Sequence, residues 1–205
     1  PGDALHVTHM DALKRVIDMA HVVDSPLVRI MTPRKEQILW GTHGAEMWNV
    51  AQGAWDAMLP LIAPAVDVAR EAGVTLVVET GNGTLVNSNW TARKLIGDLG
   101  AKDALQILWD PANNCWCHET CFPDGYQTAR EGYIGHIHIK DVQVDTPKAM
   151  LEVRPMGQGQ LAAEYPPLAQ ALRADGYGGV RSYESDYHPG HAGFGAGFHT
   201  SHCCV

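Results

Sequence analysis

The chain has 205 residues, 45% of them apolar and 19% charged, which suits one domain with a buried core and not a disordered segment. Its 23 acidic and 15 basic residues leave a formal charge of −8, so there is no broad attraction for phosphate backbones and nucleic acid is not an expected partner. No apolar run of about 20 residues is present to cross a membrane, and the opening P-G-D-A-L-H lacks the regions of a secretion signal, so a cytoplasmic location is expected.

The first helix is predicted over Asp11 to Val22, where Leu13, Val16, Ile17 and Ala20 form one apolar face at helical spacing. Asp24-Ser25-Pro26 supplies a turn before a strand at 27–31, L-V-R-I-M. A polar loop through Trp40, His43 and Trp48 leads to a second helix around Val50 to Ala72, in which Pro60 and Pro64 predict a bend or a division. T-L-V-V-E reads as the next strand. The T-G-N-G turn follows it, and then a helix around Trp90 to Leu99 capped by Ser88 or Asn89 and stopped by Gly100. A-L-Q-I-L-W-D is again a strand. Beyond Asp110 the pattern predicts an irregular loop with a short helix near Tyr126 to Glu131, a strand from Tyr133 to Lys140, and mainly loop over 141–160. Pro166 and Pro167 open a last helix that ends near Gly176, and G-G-V-R-S-Y-E is the final strand.

Short apolar strands alternating with helices predict a parallel α/β fold, in a single domain over 1–205 with a divergent Gly-, His- and Cys-containing tail from about residue 188. Five strands are predicted, fewer than the eight of a closed barrel, and 205 residues fall short of the roughly 250 typical of one. The expected architecture is therefore a partial TIM-barrel-like sheet. Its open edges are candidates for cover by a second copy of the chain.

Four chemistry-bearing side chains stand at strand ends: Glu79, Asp110, His138 and Glu184. Parallel strands can carry such groups onto one rim, where three carboxylates and an imidazole suit a divalent ion such as Mn²⁺, Mg²⁺, Co²⁺ or Zn²⁺. Each also has a plainer reading. Asp110 in D-P-A-N fits a turn, Asp186 competes with Glu184, and His136 lies on the same side of its strand as His138. His138, nearer the strand exit, is taken as the ligand, with His136 behind it. Lys140 either stabilises developing negative charge, orients Asp141, or is a rim lysine paired with acid.

The blocks V-V-E-T-G-N-G (77–83), I-L-W-D-P-A-N (107–113), G-H-I-H-I-K-D (135–141) and G-Y-G-G-V-R-S-Y-E (176–184) resemble the sugar phosphate isomerase/epimerase superfamily of xylose-isomerase-like barrels. The resemblance runs from about residue 10 to 187. It implies a metal held by Glu79, Asp110, His138 and Glu184, with Glu79 and Glu184 as the proton-transferring pair. It also implies a barrel lacking roughly three opening strand–helix units. Asn113 stands where many ketose epimerases carry a substrate-contacting His, and P-M-G-Q-G-Q (155–160) resembles the family's pocket-shaping segment. The expected activity is isomerisation or epimerisation of a small carbohydrate-like hydroxy-carbonyl compound through an enediolate.

Four other readings compete. A metal-dependent lyase or dehydratase of a keto-inositol shares the first proton removal, an endonuclease on damaged DNA shares the barrel, and a noncatalytic partial barrel shares only the fold. The segment C-W-C-H-E-T-C, with Cys115, Cys117, Cys121 and His118, offers a structural zinc site as an alternative to a loop of free thiols. No phosphate loop or dinucleotide fingerprint is present, so no nucleotide cofactor is expected.

Overall fold

The computed structural model describes residues 3–34 and 48–187. The expected loop through Trp40 and His43, and the tail with His188, His191, His199, His202, Cys203 and Cys204, lie outside these residues. The first helix, α1 (Ala4–Val22), begins seven residues earlier than its apolar face predicts. The cause is a cap: Asp3, with extended backbone, accepts the His6 N–H at 2.8 Å. Of the predicted face, Ile17 and Ala20 are buried and Val16 is exposed.

After β1 (Leu27–Ile30), α2 (Trp48–Ala72) runs undivided through Pro60 and Pro64. Each interior proline costs about 3 kcal/mol. Against that, Trp55, Met58, Ile62 and Val66 are buried along one face, each large apolar side chain contributing about 1.5–3 kcal/mol. Tertiary burial thus holds together a helix that local rules would split.

β2 (Thr75–Glu79) is followed by α3 (Asn89–Asp98). Ser88 is its cap: the Ser88 hydroxyl accepts the Thr91 N–H at 3.1 Å, and Thr91 Oγ1 accepts the Ser88 N–H at 3.0 Å. Ser88→Ala is expected to cost about 1 kcal/mol, read as a lower urea midpoint at unchanged slope.

β3 (Leu105–Trp109), the short α4 (Pro111–Asn114) and α5 (Tyr126–Ala129), and β4 (Ile134–Ile139) come next. The stretch 141–160, expected to be mainly loop, instead folds into an antiparallel hairpin of β5 (Asp141–Asp145) and β6 (Met150–Arg154). Its alternation is real, since Val142 pairs with Val153 and Val144 with Leu151. Interleaved Asp141, Gln143 and Asp145 give it the composition of a loop. The last units are α6 (Tyr165–Ala174) and β7 (Val180–Tyr183).

β1, β2, β3, β4 and β7 form one parallel sheet in that order, a five-stranded partial barrel. Leu76, Val78, Leu105, Ile107, Trp109 and Ile137 have side chains on its outer face and are fully buried in the core formed with the helices. Alternate residues face inward. Among the described residues β1 and β7 are the sheet's edges, and no helix is long and apolar enough to cross a membrane.

Asp141 anchors the hairpin to the sheet. Its carboxylate is 1% exposed and accepts N–H groups from Val142 (2.9 Å), Gly157 (3.1 Å), Gly159 (2.8 Å) and Leu161 (3.0 Å). A side chain at Gly159 has no room, because a Cβ there would lie 2.3 Å from Asp141 Oδ1. This is what the P-M-G-Q-G-Q segment does: it wraps Asp141 and is absent from the cavity lining described below.

Candidate metal centre

The inner face of the sheet carries the site, and register decides which residues reach it. Glu79 pairs with Leu108, and Leu108 with His136, so Asp110 and His138 stand one inward position further along their strands. On the far side His138 pairs with Ser182, which sets Glu184 two residues beyond. The ligand positions step up across the sheet, as the stagger of a barrel requires.

A bulge makes this register work. Ile107 pairs with Ile134 but Leu108 with His136, so Gly135 is an extra residue in β4. Without it the residue opposite Asp110 would be Ile137. Only glycine fits there, because a Cβ would lie 2.7 Å from both Gln106 Oε1 and Val77 Cγ1.

One atom from each of Glu79, Asp110, His138 and Glu184 lies within 4.8 Å of the others. His138 Nδ1 is 3.2 Å from Glu184, 3.5 Å from Glu79 Oε1 and 3.8 Å from Asp110 Oδ2. Glu79, Asp110 and His138 are buried, and both Asp110 Oδ2 and His138 Nδ1 lack an aligned hydrogen-bond partner. Three carboxylate oxygens and one imidazole nitrogen facing one point, held meanwhile by Lys140 and by one another, are a donor set that suits a divalent cation. Asp110 Oδ1 caps α4 by accepting the Asn113 N–H at 2.9 Å, the turn expected of D-P-A-N, while Oδ2 faces the cluster.

The neighbours are equally specific. Lys140 is 5% exposed, with Nζ at 2.8 Å from Asp110 Oδ2, 3.0 Å from Glu184 and 2.8 Å from Asp186. It therefore balances the acidic cluster and does not orient Asp141, as one sequence reading had it. Asp186 is held by Lys140 and stays outside the four-group cluster. His136 packs edge-on against His138 at 5.5 Å and shares a 2.7 Å hydrogen bond with Ser182. Asn113 lines the adjoining cavity and donates to the Thr80 carbonyl at 3.0 Å. Arg29 was missed by sequence reasoning: it ion-pairs with Glu79 Oε2, a contact visible only once β1 is placed beside β2.

Electrostatics couple the groups. Burial pulls the His138 pKa down, but the three carboxylates outweigh it and hold it at about 11. Glu184 is held down to about 2, first by His138 and then by Lys140, against its burial. Without a metal His138 is thus protonated near neutrality, and a cation must displace that proton. Metal affinity is expected to rise about tenfold per pH unit from neutrality until His138 deprotonates, with about one proton released per ion. Calorimetry in two buffers of different ionisation enthalpy measures that proton.

The cysteine segment takes no part. Cys115 and Cys121 are buried, and burial pushes the Cys115 thiol up to about 12 and Cys121 higher still, so both stay neutral thiols. Among the described residues the four strand-end side chains are the group that could hold a metal ion.

A family profile described as xylose isomerase-like TIM barrel matches residues 2–199. The chain belongs to that family. Among solved structures, a xylose isomerase-like TIM-barrel protein from Mycobacterium smegmatis in complex with magnesium is 20% identical, with a TM-score of 0.69 over 98% of this chain and 67% of that one. The probable 3-DHS dehydratase AsbF from Bacillus anthracis is 17% identical, with a TM-score of 0.69 over 98% and 69%. D-psicose 3-epimerase from Clostridium cellulolyticum H10, solved with D-tagatose, is 15% identical, with a TM-score of 0.65 over 90% and 58%. Among curated proteins no sequence matches. This xylose isomerase-like chain thus spans between 58% and 69% of the length of these structures, and the likeness at such identities shows the fold.

Proposed function

We propose that the protein is a divalent-metal-dependent isomerase or epimerase acting on a carbohydrate-like hydroxy-carbonyl compound through an enediolate. One observation carries the reading: buried Glu79, Asp110 and His138 converge with Glu184, one donor atom of each within 4.8 Å of the others, beside a polar cavity of about 520 Å³. The site lies at the C-terminal ends of the strands, where barrel enzymes place their chemistry.

Glu79, Asp110, His138 and Glu184 would hold the ion, and their oxygen and nitrogen donors suit Mn²⁺, Mg²⁺, Co²⁺ or Zn²⁺ alike. When bound, the ion supplies Lewis-acid polarisation of a carbonyl and offsets enediolate charge. Glu184 and Glu79 would divide the proton transfers. They are not equivalent: Arg29 engages Glu79 Oε2, while the Glu184 side chain is 32% exposed toward the cavity. Between them the two carboxylates are assigned the removal of the proton beside the carbonyl, whose electron pair moves onto the carbonyl oxygen, and the return of a proton. Lys140, held by Glu184 and Asp110, counters the negative charge that builds up.

The test is substrate-dependent exchange of the carbon-bound proton into D₂O by the metal-loaded protein, followed by proton NMR, with Glu184→Gln abolishing it. Turnover that retains the substrate proton would sink the mechanism. A product lighter by one water would instead assign the chain to the dehydratases, a reading that the likeness to AsbF supports.

A further inference from the structure

The cavity beside the cluster is lined by Glu79, Lys140 and Glu184, and also by Arg29, which pairs with Glu79, by Arg34 and by the Gly81–Thr84 turn. We propose that the substrate carries an anionic group, carboxylate or phosphate, bound by Arg34 together with Arg29, while its hydroxy-carbonyl end faces Glu79 and Glu184. This inference rests on the metal reading above.

Three observations carry it. First, Arg34 makes no ion pair among the described residues, although its backbone is firmly placed. Arg34 bridges Thr84, Leu85 donates to the Pro33 carbonyl at 3.1 Å, and Val86 donates to Thr32 Oγ1 at 3.1 Å. A fixed backbone holding at a cavity a guanidinium with no ion pair among the described residues provides a planar donor fork matched to carboxylate or phosphate.

Second, the charges around the cavity do not balance for a neutral ligand. Glu79, Asp110, Glu184 and Asp186 contribute four negative charges. Arg29, Arg34 and Lys140 contribute three positive charges, and a divalent ion held by the cluster would add two. One positive charge is left over, and Arg34 carries it.

Third, the turn itself offers donors. The N–H groups of Asn82 and Gly83 make no backbone hydrogen bond among the described residues, and no atom lies within 4 Å of where a Gly83 Cβ would be. Ligand oxygens can approach that backbone directly.

The experiment uses the full chain loaded with Mn²⁺ and three ketoses: neutral D-fructose, D-fructose 6-phosphate and 5-keto-D-gluconate. Calorimetry gives the affinities, and water-proton relaxation of the bound Mn²⁺ shows whether each ligand reaches the ion. At least one anionic ketose is expected to bind about tenfold or more tighter than D-fructose, as a charge-assisted hydrogen bond implies. Arg34→Gln, at an exposed position, should erase that preference while leaving Mn²⁺ affinity and D-fructose binding unchanged. Which anionic ketose gains distinguishes phosphate from carboxylate. Equal affinities for all three, no binding of either anionic ketose, or an equal loss for D-fructose in the variant would overturn the anion site alone. Failure of Mn²⁺ to bind would overturn the metal reading and this inference with it.

Discussion

In Asp110→Asn, the thermal stabilisation expected of a divalent cation in the wild-type protein is expected to disappear. A cation at about 100 times its dissociation constant stabilises a single-site protein by about 2.7 kcal/mol, which for a chain of this length raises Tm by about 5–10 °C. Asp110 is 0% exposed and gives the cluster one oxygen, Oδ2, while Oδ1 caps α4. Asparagine keeps the cap, being as good there as aspartate, but turns an N–H₂ donor toward His138 and Lys140. The variant folds and loses the ligand. Even partners that merely orient a metal ligand are worth about 10–100-fold in affinity, so a ligand itself should cost at least about 100-fold. Scanning calorimetry with and without Mn²⁺ or Mg²⁺ measures it, and an undiminished shift in the variant would remove Asp110 from the site.

The second large effect is structural. Asp141→Ala is expected to destabilise the protein by about 3 kcal/mol or more, since several buried N–H groups lose a charged acceptor at once. The donors from Gly157, Gly159 and Leu161 come from a segment 16 to 20 residues away, and no other side chain replaces the carboxylate. Asp141→Asn should recover only part of the loss, because one of its two terminal atoms is itself a donor. Equilibrium urea unfolding gives the values. A cost below about 1 kcal/mol for the alanine variant would show that the hairpin is held by its apolar contacts instead.

Much of the site was readable before the fold was known, for a definite reason. Glu79 and His138 stand in the last residues of short apolar strands and Asp110 and Glu184 just past theirs, and a parallel sheet has the C-terminal ends of its strands on one rim. The alternation of strands and helices was readable for the same kind of reason, because Leu76, Val78, Leu105 and Ile107 must be apolar to pack under helices. What failed were inferences in which local chemistry was overruled. Two prolines do not split α2 when its buried face outweighs them. Asp141, Gln143 and Asp145 look like a loop until the partner strand and the glycine wrap are in place.

Sequence by itself determined the kind of fold, its family and the four groups able to share an ion, because strand-end position and residue chemistry are local properties. Tertiary structure alone decided how those groups are used. The bulge at Gly135 sets which residue of β4 stands beside Asp110, the pairing of β1 with β2 delivers Arg29 to Glu79, and Lys140 turns to Asp110 and Glu184. Each depends on register between segments distant in the chain, and register is a property of the paired strands together.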